Sequence, residues 1–303
     1  MLNLPYDSNK FNFIIDCRHS FSESLSGGII VLQKLADELE KIGHNVYILS
    51  EPMYNKNINE INTFNRTNTN YQNEYFEFEP FEYPIENTIS IYPEITIGNP
   101  FNTKYVVRWL LSDSKPEIED TWSKNDLIYN FANFKTSQLI EKKQLTVFDF
   151  RFDDMVDKNN KNRNGFCFIK HKNTPDNYLD ILSQFKPTIL NGWEQKGAWS
   201  FLSEEFNKHE YFITFDRNTT FCILAGMCGC KSIVLNEDIT ITPLEYRLQN
   251  PFFQFGVSYG LNDISWSNKT INLVWDNVLQ LNEQHKKTII NFVFDIKKII
   301  YGE

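Results

Sequence analysis

Phe11-Asn12-Phe13-Ile14-Ile15-Asp16, a polar loop closing on Gly27-Gly28, a run from 29 to 42, Gly43, and Asn45-Val46-Tyr47-Ile48-Leu49-Ser50 follow one another near the start of the chain. The first run is short and apolar, as a strand covered on both faces must be. From 29 to 42, Leu32, Leu35, Ala36, Leu39 and Ile42 recur at helical spacing, with Asp37, Glu38, Glu40 and Lys41 on the opposite side. Gly43 is placed to end that helix, because a left-handed C-terminal residue costs glycine least. Strand, glycine loop, amphipathic helix, glycine, strand is a βαβ unit.

Working outward, residues 51–87 are rich in Asn, Glu and aromatics and read as a long excursion with one short strand or helix. Strand-like runs follow at 88–94, 104–111 and 126–131, separated by turn chemistry at Gly98-Asn99-Pro100 and at 112–116, and another apolar run spans 145–150. Residues 153–165 are charged, Asn-rich and without apolar periodicity, which predicts a linker. A second alternation begins beyond it. Strands are expected at 166–170, 188–191, 210–215 and 231–235, and helices at 178–185, 197–208, 219–228, 244–249 and 271–300. The expected fold is α/β: two Rossmann-like doubly wound domains facing a cleft, with ligands at the carboxyl ends of the strands. The expected divisions are 1–155, 156–285, and a C-terminal helix at 286–303 that packs back on the first domain.

Composition narrows the classes. The 303 residues are too many for one ordinary core and suit two domains of about 150 residues. No apolar run approaches the ~20 residues of a membrane helix. The first ten residues show no basic flank leading into an apolar stretch, so a cytoplasmic protein without a secretory signal is expected, with peripheral membrane contact left open. Thirty basic against 39 acidic residues give −9, from which no nucleic-acid partner is expected. Five cysteines (Cys17, Cys167, Cys222, Cys228, Cys230) lack zinc spacing and read as reduced thiols, with Cys228-Gly229-Cys230 as packing.

Candidate chemistry sits at predicted strand ends. Gly27-Gly28 lets backbone approach an oxygen-rich ligand, or simply makes a tight turn. His19, in the loop before it, is either a general base or a surface residue. Arg108 interrupts Val106-Val107-Arg108-Trp109-Leu110-Leu111, and a buried guanidinium needs an anion. Glu94 is the candidate partner, giving a buried salt bridge or a cleft-lining pair for sugar or phosphate. Lys170-His171-Lys172 follows a strand; Lys170 and Lys172 either neutralise a diphosphate or sit in a solvated loop. In the run from 211 to 220, Asp216 is a candidate for ribose hydroxyls and Thr219-Thr220 for a phosphate at a helix start, with Asn218 or Thr219 as cap in the plainer reading.

Taken together, the glycine-glycine helix, Tyr92-Pro93-Glu94 with Gly98-Asn99-Pro100 and Val106 to Leu111, Phe215 to Thr220 with Ala225 to Leu235, and Phe255-Gly256-Val257-Ser258-Tyr259-Gly260 resemble GT-B-type glycosyltransferases of the kind found in surface-polysaccharide biosynthesis. The chain departs from the common retaining pattern, with Thr219-Thr220 where a glutamate pair would flank the donor helix. The resemblance implies transfer of a sugar from a nucleotide-sugar donor to a glycan, glycolipid or other hydroxyl acceptor, without a metal or other cofactor. It implies the donor on the second domain, at Lys170, Lys172, Asp216, Thr219 and Thr220. The acceptor falls on the first, near Gly27, Gly28, Arg108 and Asp113, with His19, Glu94 and Asp16 as catalytic candidates. A non-catalytic sugar- or nucleotide-binding protein, or an inactive transferase-like subunit, is the alternative.

Overall fold

In a computed structural model, residues 10–17, 27–50, 64–65, 87–132, 134–137, 141–171, 173–191, 198–235 and 241–302 are described. The chain divides into two units, one of residues 1–149 with 284–303 and one of residues 150–283. The first is therefore discontinuous in sequence, and the second is a single uninterrupted stretch.

The first unit is built on strands β1 (Asn12–Cys17), β2 (Asn45–Ser50), β3 (Phe64–Asn65), β4 (Thr88–Pro93), β5 (Tyr105–Leu110), β6 (Leu127–Asn130) and β7 (Lys143–Gln144), with helices α1 (Gly27–Lys41) and α2 (Pro116–Glu119). Their order across the sheet is β3-β2-β1-β4-β5-β6-β7, parallel except for the edge pair β2–β3. Phe13, Ile14 and Ile15 have no exposed surface. Burial of consecutive residues means that both faces of β1 are covered, as its unbroken apolar run requires. Ile14 packs with Tyr92, Phe101 and Val106. Phe13 turns to the other face, where its ring lies 5.9 Å from Phe292. The glycine pair opens α1 itself rather than preceding it. The run 145–150 forms no strand, yet Leu145, Val147, Phe148 and Phe150 are buried.

The second unit carries β8 (Phe166–Phe168), α3 (Tyr178–Leu182), β9 (Thr188–Ile189), α4 (Ala198–Lys208), β10 (Tyr211–Thr214), α5 (Phe221–Met227), β11 (Lys231–Val234), α6 (Pro243–Gln249), β12 (Val257–Tyr259) and α7 (Ile264–Thr270). The sheet is wholly parallel in the order β12-β11-β10-β8-β9. Its fifth strand, β12, lies within Phe255 to Gly260, where no strand is expected from sequence. Three residues between glycines are too few to show a period. Phe168, Ile213 and Leu182 share one core cluster on the α3 side, while Phe212 meets Phe206 of α4 at 5.5 Å.

The predicted linker is no linker. Residues 153–165 belong to the second unit, where Asp157 pairs with Arg163, whose Nη1 donates to the Phe206 carbonyl at 3.0 Å. The Lys158 amide donates to Asn207 Oδ1 at 2.8 Å. Gly229 ends the turn after α5 at φ +80, and a Cβ there would lie 2.6 Å from Asp157. Polar side chains bonded to backbone make this segment a packed loop, which composition alone does not distinguish from a tether.

The last expected helix, 271–300, is a 3-10 turn at Ile271–Leu273 running into α8 (Val274–Tyr301), and α7 precedes it. α8 starts in the second unit and ends in the first. In the first unit its buried face is His285, Ile289, Phe292 and Ile296, and Phe292 meets Tyr129 edge-on at 4.9 Å. Among the described residues, no helix is long and apolar enough to cross a membrane.

Candidate functional site

In a doubly wound sheet, ligands lie outside the carboxyl ends of the strands where the winding direction reverses. In the second unit that point falls between β8 and β10, since β9 lies beyond β8 while β10 and β11 follow on the other side. The two strand ends carry His171 and Asp216. Nδ1 of His171 lies 3.3 Å from Oδ2 of Asp216. The carboxylate is buried and the imidazole is about a quarter exposed, so the ring presents Nε2 on the side away from Asp216.

Both residues are held by their own loops. The His171 amide donates to Thr174 Oγ1 and the Thr174 amide to the His171 carbonyl, each at 2.9 Å. The His171 ring stands edge-on to Phe221 at 6.2 Å. Asp216 donates its amide to Thr214 Oγ1 and accepts from the Asn218 amide through Oδ1, both at 3.0 Å. The Tyr246 hydroxyl, brought by α6, donates to the Arg217 carbonyl at 3.2 Å and meets Asn218 Oδ1. Burial raises the Tyr246 pKa well above the phenol's ordinary value, so it stays a donor. The Arg217 guanidinium lies over the Tyr246 ring at 5.7 Å, and Tyr246 packs on Tyr259 at 4.7 Å. α6 is fixed by a capping box between Thr242 and Glu245.

Among the residues expected here from sequence, Lys170 is exposed and its ammonium lies 5.4 Å over the Tyr178 ring. Lys172 lies outside the described residues. Thr220, rather than Asn218 or Thr219, is the N-cap of α5, and its hydroxyl makes no capping bond. Thr219 is buried, with Oγ1 accepting from the Phe221 amide at 3.4 Å. Sequence reasoning chose Lys170 and Lys172 for their charge and passed over His171 between them. The available signal was position, because a histidine three residues beyond a parallel strand end lies at the sheet's ligand edge.

The first sheet reverses between β1 and β4. Asp16 is buried there and accepts from Thr96 Oγ1 at 2.7 Å. Glu94 accepts from the Leu111 amide at 2.8 Å and from Ser112 Oγ at 2.5 Å. A Cβ on Gly28 would meet Leu111 Cδ1 at 3.7 Å, while one on Gly27 would meet nothing within 4 Å. His19 lies outside the described residues. Asp113 is exposed and accepts from the Lys135 amide at 2.7 Å, tying two loops together.

Arg108 corrects the sequence reading. Its anion is Asp126, not Glu94, with Nε to Oδ2 at 2.7 Å and both side chains buried. The remaining nitrogens donate to the Thr96 carbonyl at 3.2 Å and the Gly98 carbonyl at 2.6 Å. The guanidinium lies 4.9 Å from the Tyr92 ring centre. Arg108 thus holds the loop whose Thr96 hydroxyl serves Asp16. The five cysteines are buried thiols, and burial pushes Cys228 up to about 12. Among the described residues, no group of three or more His, Cys, Asp or Glu is placed to hold a metal ion.

No protein-family model matches the chain, and no curated protein matches it. Among solved structures, the chain is similar to an alpha-glucosyltransferase in complex with UDP and a 13-mer DNA containing a HMU base. The identity is 10% and the TM-score 0.48, over 97% of this chain and 100% of that one. A second similar structure is an alpha-glucosyltransferase (AGT) in complex with UDP, at 10% identity and TM-score 0.45, over 95% of this chain and 99% of that one. The partner set expected from sequence, a glycan or glycolipid acceptor and no nucleic acid, is corrected here: the first of these structures holds DNA. Net charge is too coarse for such an exclusion, because −9 is a sum that leaves 30 basic residues to form local surfaces.

Proposed function

We propose that the chain is a glycosyltransferase that moves a sugar from a nucleotide-linked donor to an acceptor hydroxyl, and that the donor's diphosphate lies at the carboxyl edge of the second sheet. The observation that carries this reading is the His171–Asp216 pair at the β8/β10 reversal. The partly exposed His171 ring, with Lys170 beside it in sequence and Arg217 beside Asp216, is suited to the charge that grows on a departing nucleoside diphosphate. The resemblance of residues 215–235 to GT-B sequences supports the same assignment, and it calls for no resident metal or cofactor. Asp16 and Glu94 already accept hydrogen bonds from the first unit's own loops, so no base is assigned.

A thermal-shift screen over nucleoside diphosphates, UDP first, tests the reading, because a ligand of the folded state raises the melting temperature. A diphosphate-dependent shift that His171→Ala removes supports it. No shift with any nucleoside diphosphate overturns it. Turnover of the matching nucleotide sugar, with acceptors including DNA containing a HMU base, separates a transferase from a protein that binds without reacting.

A further inference from the structure

The outward face of α8 within the first unit carries exposed apolar and basic side chains. Ile290 and Phe294 stand one helical turn apart and are 60% and 64% exposed. Lys286 and Lys287 lie one turn before Ile290, and Lys297 and Lys298 one turn after Phe294, all of them exposed. Spacings of three, four and seven residues put these side chains on one stripe. The acid in this stretch, Asp295, is turned away from it: its Oδ2 lies 3.0 Å from Lys143 Nζ and accepts from the Tyr129 hydroxyl. That pairing leaves its charge on a different side of the helix from the lysines. The opposite face, through Ile289, Phe292 and Ile296, anchors α8 to the sheet.

Two large apolar side chains between two pairs of lysines match a particular partner. Burying them needs a soft apolar phase close to the surface, and exposed lysines on either side suit negative charge around its rim. Lysine is a strongly hydrated point charge on a flexible stem, suited to a diffuse layer of headgroups more than to forked recognition of a single phosphate. We infer that this stripe of α8 docks the protein on an anionic phospholipid surface, with Phe294 and Ile290 entering the headgroup boundary and Lys286, Lys287, Lys297 and Lys298 facing the anionic heads. The inference is independent of the donor site, since no residue is shared.

Co-sedimentation of the full chain with vesicles tests it. Binding to phosphatidylcholine vesicles containing phosphatidylglycerol, falling with added salt, and little binding to phosphatidylcholine alone are expected. Each lysine near such a surface is worth about a five-fold factor in partition. Replacing all four by glutamine therefore weakens binding by roughly several hundred-fold. Ile290→Ser with Phe294→Ser weakens it at unchanged salt dependence. An unchanged melting temperature shows that both variants are folded, as expected for exposed positions. No vesicle binding, equal binding to neutral and anionic vesicles, or binding indifferent to both variants overturns the inference. So does lysine-dependent capture of nucleic acid in the absence of vesicle binding.

Discussion

The two sheets reverse direction at equivalent points, and the chain uses them differently. At the β1/β4 edge, Asp16 and Glu94 accept hydrogen bonds from Thr96, Leu111 and Ser112, and Arg108 secures the intervening loop against Asp126. At the β8/β10 edge, a buried carboxylate meets a partly exposed imidazole, and the loop bonds are made mainly by backbone and by Tyr246. One edge has drawn its acids inward to hold loops. The other leaves a polar ring at the surface. A charged residue at a strand end is therefore a site only when its partner still lets it face a ligand.

The largest effect should come from Arg108→Leu, which leaves Asp126 buried without its cation. A loss of about 3–5 kcal/mol is expected, read by urea unfolding. A loss under about 1 kcal/mol, the range of an exposed pair, would break the contrast by showing that the first edge is not a structural brace. Next is the buried histidine of α8, His285, whose folded pKa is pushed down to about 4 by burial, with Lys34 adding to the effect. The unfolded ring takes up its proton near pH 6.5. Stability is thus full above that value and lost as pH falls from about 6.5 to about 4, by roughly 3 kcal/mol. The difference between wild type and His285→Leu over that window isolates it; a flat difference would refute burial as the cause.

Smaller effects sharpen the functional half of the comparison. Asp216→Asn should weaken UDP binding about 10-fold, the worth of one charge-assisted contact, whereas Glu94→Gln should leave that affinity unchanged while lowering the melting temperature. Calorimetric titration showing the reverse order would exchange the roles of the two edges. Tyr246→Phe should cost about 1 kcal/mol of stability and loosen UDP binding a few-fold at most, because it supports the 216–218 loop without facing the ligand edge.

Much of the fold could be read from local pattern. β1, α1 and β2 follow from an apolar run, a helical stripe and Gly43, and the second alternation follows from runs such as Tyr211 to Thr214. What could not be read was relational. β12 is too short for a period, and residues 153–165 show their packing only through Arg163 and Asn207. Of the candidate site, Asp216 was visible because it ends an evident strand. His171 was hidden by its neighbours' charge, and Arg108's anion lay 18 residues away rather than on the adjacent strand end.

The passage of α8 from one unit to the other has a consequence for biogenesis. The second unit is a single interval of sequence and is complete once residue 283 has been made. The first, although it starts earlier in the sequence, lacks Ile289, Phe292 and Ile296 until the stretch from 284 onward has left the ribosome. Synthesis order and maturation order are therefore inverted. A nascent chain arrested before residue 284 would hold a finished rear half behind a front half with its aromatic core open to solvent.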